Sequence, residues 1–204
     1  MPTPSRLALE AAAKNPDFQD VSLDPAVKVD LRYGTANNLL HRDVYGGFQK
    51  ALLHRIAAEK FFRACEILRS QRPDLQFLVF DALRPQTAQV EFWNLVKGTP
   101  QQPYFADPAK GSIHSFGFAI DLSLCDSKGE LAMGTEFDDL SPLAEPRREE
   151  EFLQSGQLRK DQLENRKLLR SILEQAGFLS IPHEWWHFDA LPPSEVRAKF
   201  RIVE

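Results

Sequence analysis

Apolar and polar residues recur along the chain with two different periods, and together they predict a mixture of helices and strands. Residues 49–70 and 161–175 place apolar side chains three and four positions apart, which is typical of amphipathic helices. Residues 7–14, with Ser5 as the cap, and residues 87–96 predict two shorter helices. Residues 75–82 form a continuous apolar run, which predicts a buried strand, and residues 26–33 alternate like a second strand.

Residues 117–124 show the clearest strand pattern, because their even positions are apolar and their odd positions are small or polar. On a strand this split predicts one face in the core and one open face, from which Asp121 projects. The turn residues 126–129 (DSKG) then predict a hairpin. The charge-rich residues 145–167 predict a solvated surface segment.

These elements follow one another without regular strand–helix–strand alternation, which favours an α+β fold. We therefore predict a single domain over residues 1–204, with a mainly antiparallel central sheet flanked by helices. Residues 1–25 are expected to form an N-terminal extension packed on this domain.

The composition of the chain limits the kinds of molecule that it is expected to bind and the compartment in which it is expected. The net charge of −4 provides no basic field for nucleic acid or an anionic membrane, and no apolar run reaches the ~20 residues of a membrane span. Two cysteines do not suggest a disulfide framework. With no secretion signal in its first residues the chain is expected in the cytoplasm, or in the periplasm if a signal peptide has been removed. Homo-oligomer formation is left open.

Residues 183–187 read H-E-W-W-H, which satisfies the zinc-protease pattern H-E-x-x-H. That pattern requires a helix, because histidines four positions apart must share one face. Here Pro182 precedes the pattern, the aromatic residues favour a strand, and only eleven residues follow Pro193 to supply a third ligand. We therefore predict a strand, on which His187 and Asp189 share a face and His183 lies at the entry.

Residues 111–124 supply suitable partners for this segment. Asp121 lies on the predicted open face, and His114 lies just upstream. Two histidines and one aspartate leave a fourth tetrahedral position open for water, which is the arrangement of catalytic zinc sites. Glu184, three residues before His187, is then free to accept a proton from that water.

Three separated motifs now carry a resemblance to a known family. They are D-x-x-R-P at residues 81–85, S-x-H-x-x-G-x-A-x-D at residues 112–121 and E-W-W-H at residues 184–187, with support from residues 133–138 and 165–178. From about residue 33 to residue 188 the chain resembles the D-alanyl-D-alanine dipeptidases of the vancomycin-resistance type. These are zinc D,D-peptidases, whose fold is shared with D,D-carboxypeptidases and the hedgehog signalling domain.

The resemblance implies a metal centre and a catalytic pair. It implies one Zn²⁺ per chain, held by His114, Asp121 and His187. It also implies that Glu184 is the catalytic base and that Arg84 contacts the developing oxyanion.

The resemblance further implies a small dipeptide as the substrate, hydrolysed to two D-alanines. Ser112 would hold the carboxylate end, while Asp138 and Tyr33 would meet the ammonium end. Two alternatives remain at this point. A D,D-carboxypeptidase or other peptidoglycan peptidase would cleave longer stem peptides, and a non-catalytic zinc-binding module would need neither Glu184 nor Arg84.

Overall fold

The computed structural model describes residues 2–100, 102 and 105–204 of the chain. The helices are α1 (Pro4–Ala12), α2 (Arg55–Gln71), α3 (Gln86–Val96), α4 (Glu149–Gln154), α5 (Lys160–Gln175) and α6 (Pro193–Lys199). The strands are β1 (Phe18–Asp20), β2 (Val27–Val29), β3 (Leu52–His54), β4 (Gln76–Asp81), β5 (Ala119–Asp126), β6 (Gly129–Glu130), β7 (Leu179–Ser180) and β8 (His187–Asp189).

A six-stranded sheet forms the centre of the fold, with the order β2-β4-β5-β8-β7 and with β6 paired to β5. Only the β2–β4 pairing among these is parallel, and the other four are antiparallel. A second sheet consists of the antiparallel pair β1 and β3. The predicted α+β fold with a mainly antiparallel central sheet is therefore confirmed.

Helices α2 and α5 pack against each other and against strands β4 and β5. The apolar even-numbered residues of β5, Ile120, Leu122 and Leu124, are fully buried, as their alternation predicts. From the N-terminal segment, Leu9, Ala12 and Val21 belong to the same core cluster. Among the described residues, none of the helices is both long and apolar enough to cross a membrane.

The registers of the neighbouring strands β4, β5 and β8 place three polar residues directly beside one another across the sheet. Asp121 of β5 lies opposite Asp81 of β4 on one side and opposite His187 of β8 on the other. Residues directly opposite each other share a face of the sheet. Between Val79 and Asp81 the register of β4 shifts, since Val79 pairs with Leu122 and Asp81 pairs with Asp121. The shift turns Asp81 toward the face of Asp121, a re-aiming typical of a β-bulge.

The prediction of one helix over residues 49–70 is wrong at its start. Leu52 and Leu53 belong to β3, and α2 begins at Arg55 with His54 as its N-cap. Both leucines are almost fully buried, so tertiary pairing with β1 satisfies their backbone groups and overrides the helical spacing. His54 caps the helix through Nδ1, which accepts from the Ile56 amide, as a packing rather than a metal-binding residue.

Three further expectations need correction. The strand over residues 26–33 is limited to Val27–Val29, and a 3-10 turn follows at Arg32–Gly34. Ser5 lies inside α1, which Thr3 caps. The face of β5 that carries Asp121 is not open, because Ala119 and Ser123 are fully buried.

The charge-rich segment 145–167 is also less solvated than predicted. Its Glu149 is buried and forms ion pairs with the buried Arg166 and with Arg170 on α5. Arg166 in turn donates to the carbonyl oxygens of Met133 and Leu143. These bonds tie both ends of the loop 133–143 to helix α5.

Candidate metal centre and active site

Three ligand atoms from separate parts of the chain meet at one point. Asp121 Oδ1 lies 3.0 Å from His187 Nδ1 and 3.2 Å from His114 Nε2, and the two nitrogens are 3.1 Å apart. Asp121 and His187 are opposite each other on β5 and β8, whereas His114 lies in the 3-10 turn Ile113–Phe116 before β5. The structure therefore brings together the three ligands that the resemblance implies.

Gly117 makes this turn possible. Its φ of +75° is left-handed, and it ends the turn, so that the chain enters β5 at Ala119, shortly after His114. A Cβ at this position would approach the His54 backbone nitrogen to 2.9 Å and the Phe18 ring to 2.7 Å. The glycine of the motif is thus required by both backbone conformation and space.

Each of the two histidines forms a hydrogen bond through the ring nitrogen that points away from the three ligand atoms. These bonds determine which ring nitrogen faces the point where the ligand atoms meet. His114 Nδ1 donates to the Ala82 carbonyl oxygen at 2.8 Å, so its Nε2 carries the free lone pair. His187 Nε2 donates to Asp189 Oδ1 at 2.9 Å, so its Nδ1 carries the free lone pair. Such outer partners hold the tautomer and the ring orientation of metal-binding histidines.

The three residues fit zinc. Bonds of ~2.0–2.1 Å at tetrahedral angles place neighbouring ligand atoms about 3.3 Å apart, close to the 3.0–3.2 Å separations of this site. Imidazole nitrogen and carboxylate oxygen are both ordinary zinc donors, and three protein ligands leave one tetrahedral position open. That open position is the hallmark of a catalytic rather than a structural site.

The carboxylates around this point have different proton affinities. Burial alone would raise the pKa of Asp121, but the charges and hydrogen bonds of His114 and His187 lower it below its ordinary value. For Glu184 burial prevails and raises the pKa to about 7, with Asp121 adding to the rise. Glu184 Oε2 lies 3.8 Å from His187 Nδ1. Asp121 is thus held in its carboxylate form, while Glu184 is suited to exchange a proton near neutral pH.

Arg84 lies beside the three ligand atoms, and three hydrogen bonds hold its guanidinium in place. Nε donates to Asp81 at 2.8 Å, Nη1 to Gln89 Oε1 at 3.2 Å and Nη2 to Asp121 Oδ2 at 3.3 Å. Asp81 also accepts a hydrogen bond from the buried Tyr45 hydroxyl. Arg84 therefore pairs with Asp81 and also lines the cavity.

Tyr33 and Asp138 form a second polar group in the same cavity. The Tyr33 hydroxyl donates to the Asp138 carboxylate, 3.1 Å from either oxygen, and its ring lies under the Arg84 guanidinium at 4.7 Å. Asp138 adopts a left-handed φ of 63°, rare for a residue with a side chain and frequent at functional sites. Burial raises the pKa of Asp138 to about 8, with Asp121 and Glu184 adding to the rise.

All eight residues predicted for the site line one cavity of about 230 Å³. This includes Ser112, which is buried just ahead of the 3-10 turn. His183 is exposed and is not part of the cavity lining. The H-E-W-W-H segment is not helical, because residues 181–186 form a loop and the strand begins at His187.

Two residues with clear contacts had no assigned role in the sequence. Asp189, buried behind His187, shares its face by the two-residue period, and that spacing was the available signal. Gln89 accepts from Arg84 and donates to the Ala106 carbonyl oxygen at 2.9 Å. No local pattern marks Gln89, because its acceptor, the Ala106 carbonyl oxygen, lies 17 residues along the chain.

Trp185 and Trp186 are both buried. Trp186 lines the cavity and packs edge-on against Phe137. Trp185 donates through Nε1 to Thr135 Oγ1 at 2.8 Å. The two rings therefore hold the loop that carries Asp138 against the loop that carries Glu184.

Comparisons with known proteins agree with this site. The peptidase M15 family, described as D-ala-D-ala dipeptidase, matches residues 13–201. The chain is 34% identical over 166 residues to the D-alanyl-D-alanine dipeptidase of Escherichia coli (strain K12), an alignment that covers 81% of this chain and 79% of that protein. Proteins of the same name from Synechocystis sp. and Enterococcus faecium are 30% and 31% identical, over 71% and 79% of this chain and 71% and 85% of their own lengths.

These matches confirm the resemblance that the three sequence motifs carry, and they make the chain a peptidase by family. They extend beyond both ends of the region, residues 33–188, over which the motifs were found. The chain therefore belongs to the family of D-Ala-D-Ala dipeptidases.

Proposed function

We propose that this protein is a zinc-dependent dipeptidase that hydrolyses D-Ala-D-Ala to two D-alanines. The observation that carries the proposal is the meeting of His114, Asp121 and His187 within 3.0–3.2 Å beside Glu184, in a chain of the D-Ala-D-Ala dipeptidase family. The geometry accounts for hydrolysis, and the family supports the choice of substrate.

His114, Asp121 and His187 would hold one zinc ion per chain. A zinc ion bound there would lower the pKa of water and polarise the scissile carbonyl group. The buried hydrogen bonds from His114 to Ala82 and from His187 to Asp189 keep both imidazoles oriented before the metal arrives.

Glu184 is the proposed general base, because its carboxylate lies next to a ligand and its pKa lies near neutrality. Its carboxylate takes the proton from the attacking water and later delivers it to the departing amine. Arg84 is the proposed partner of the oxyanion, since three of its five N–H groups hold it in place and the other two donate to no acceptor among the described residues. A donor of this kind is worth about 3 kcal/mol in the barrier.

The remaining lining residues suit a substrate with two charged ends. Asp138 and Tyr33 would receive the ammonium group, and Ser112 would receive the carboxylate. The cavity volume of about 230 Å³ is smaller than the ~300–1,000 Å³ of pockets for drug-sized ligands. A cavity of this small size favours a dipeptide over a long stem peptide.

The proposal is tested by measuring D-alanine release from D-Ala-D-Ala and from a stem pentapeptide ending in D-Ala-D-Ala. The zinc-loaded protein should act on the dipeptide and lose this activity when a chelator removes the metal. Preferential cleavage of the pentapeptide would instead indicate a D,D-carboxypeptidase. No metal-dependent release from either substrate would contradict the proposal.

A further inference from the structure

Helix α6 brings a second guanidinium to the cavity, that of Arg197. Arg197 lies one turn after Pro193, which lines the same cavity. Its Nε donates to the Lys110 carbonyl oxygen at 3.0 Å, and its Nη2 donates to the Gly111 carbonyl oxygen at 3.2 Å. These bonds fix the side chain against the residue that immediately precedes Ser112.

The segment after α6 is hydrogen-bonded to the 3-10 turn Ile113–Phe116, which helps to hold Arg197 in position. The Val203 amide donates to the Ser115 carbonyl oxygen, and the Gln86 amide donates to the Val203 carbonyl oxygen, both at 2.8 Å. At Gly111 a Cβ would lie 2.7 Å from Ile202 Cδ1, which shows how closely the two segments pack.

The two arginines of the cavity differ in how their charges are balanced. Arg84 pairs with the carboxylates of Asp81 and Asp121. Arg197 donates to carbonyl oxygens, and within the described part of the chain no carboxylate forms an ion pair with it. Because carbonyl oxygens are neutral, they do not offset the positive charge of a guanidinium. That charge can therefore attract an anionic group of a ligand.

A zwitterionic dipeptide presents such a group in its terminal carboxylate. Building on the proposed function, we propose that Arg197 binds the terminal carboxylate of the substrate together with Ser112, while Asp138 binds the ammonium group. Arg197 is then a substrate-binding and specificity-determining residue. It selects dipeptides with a free carboxylate, and it orients the scissile bond between its two charged ends.

The test compares two substrates that differ only at this end, D-Ala-D-Ala and its C-terminal amide. Arg197→Gln should raise KM for the free dipeptide by about 10- to 100-fold, as expected for the loss of a charge-assisted hydrogen bond. KM for the amide should change by less than about three-fold, because the amide carries no charge for Arg197 to bind. Arg201→Gln removes the same charge from an exposed position outside the cavity lining and should leave both KM values unchanged.

A second measurement distinguishes binding of the substrate by Arg197 from a role of Arg197 in holding Lys110 and Gly111 in position. In the Glu184→Gln background, calorimetry with D-Ala-D-Ala should show the same 10- to 100-fold weaker affinity when Arg197→Gln is added. Arg197→Lys should restore part of this affinity, since it keeps the charge but not the planar fork.

Equal losses for the free dipeptide and the amide would overturn the inference, because Arg197 would then act only by holding the carbonyl groups of Lys110 and Gly111. Unchanged KM values for both substrates would overturn it as well. A wild-type protein that cleaves neither substrate would instead refute the proposed function, on which the inference rests.

Discussion

The hydrogen bond between Asp189 and His187 provides a quantitative test of how the metal centre is built. Asp189 is 3% exposed, and its Oδ1 accepts from His187 Nε2 at 2.9 Å. A hydrogen bond to a charged partner contributes about 1.5–3 kcal/mol. Since 1.4 kcal/mol corresponds to a factor of ten, Asp189→Ala should weaken zinc binding by about 10- to 100-fold. Loss of outer partners at other metal sites has effects of this size.

The assay is competition for zinc between the protein and a chromophoric chelator, at about pH 8. This pH matters because Asp189 and Asp121 raise the pKa of His187 despite its burial, so that a proton competes with the metal at lower pH. Asp189→Asn keeps an acceptor oxygen and should lose less affinity than Asp189→Ala. Equal zinc affinity in wild type and Asp189→Ala, with unchanged unfolding midpoints, would refute the role assigned to this bond.

Three further predictions follow from the same contacts. Arg84→Lys loses the planar fork and should lower kcat by about 100-fold, with zinc content unchanged. Gly117→Ala should destabilise the fold by more than about 1–2 kcal/mol in urea unfolding, because φ is +75° and the Cβ meets backbone. Asp138 has a pKa of about 8 instead of 3.8, so its ionisation costs stability progressively between these pH values. Asp138→Asn should therefore stabilise the metal-free protein more at about pH 8 than at about pH 5.

Much of the candidate metal centre was predictable because its residues lie in short, regular patterns. The alternation of residues 117–124 placed Asp121 on the opposite face from the apolar residues that pack against the helices. The two-residue period placed His187 and Asp189 together, and Pro182 argued correctly against a helix. Local patterns determine such features, so one sequence suffices to predict them.

Features that depend on pairing between distant segments were not predictable in this way. The shift in β4 turns Asp81 toward Asp121, whereas simple alternation would leave Asp81 on the side of Phe77 and Val79. Pairing of β3 with β1 converts the start of the expected helix into a strand. Both outcomes are decided by tertiary contacts that no local period records.

Side-chain partnerships across the cavity depend on the same long-range packing. The Tyr33 hydroxyl meets Asp138 on the loop 133–143, both ends of which are tied to Arg166 of α5. Arg197 reaches the cavity because the C-terminal segment bonds to Ser115. The family resemblance implied that Tyr33 and Asp138 belong to the site, but only the folded chain shows which residues these two side chains contact.

The central claim is that a metal held by His114, Asp121 and His187 acts together with Glu184 as the base. The most direct measurement is D-alanine release from D-Ala-D-Ala by zinc-loaded wild type and zinc-loaded Glu184→Gln, with zinc content determined in parallel. The account predicts that the variant keeps one zinc ion per chain and loses activity by at least about 100-fold. Wild-type rates in a zinc-loaded Glu184→Gln protein would contradict it.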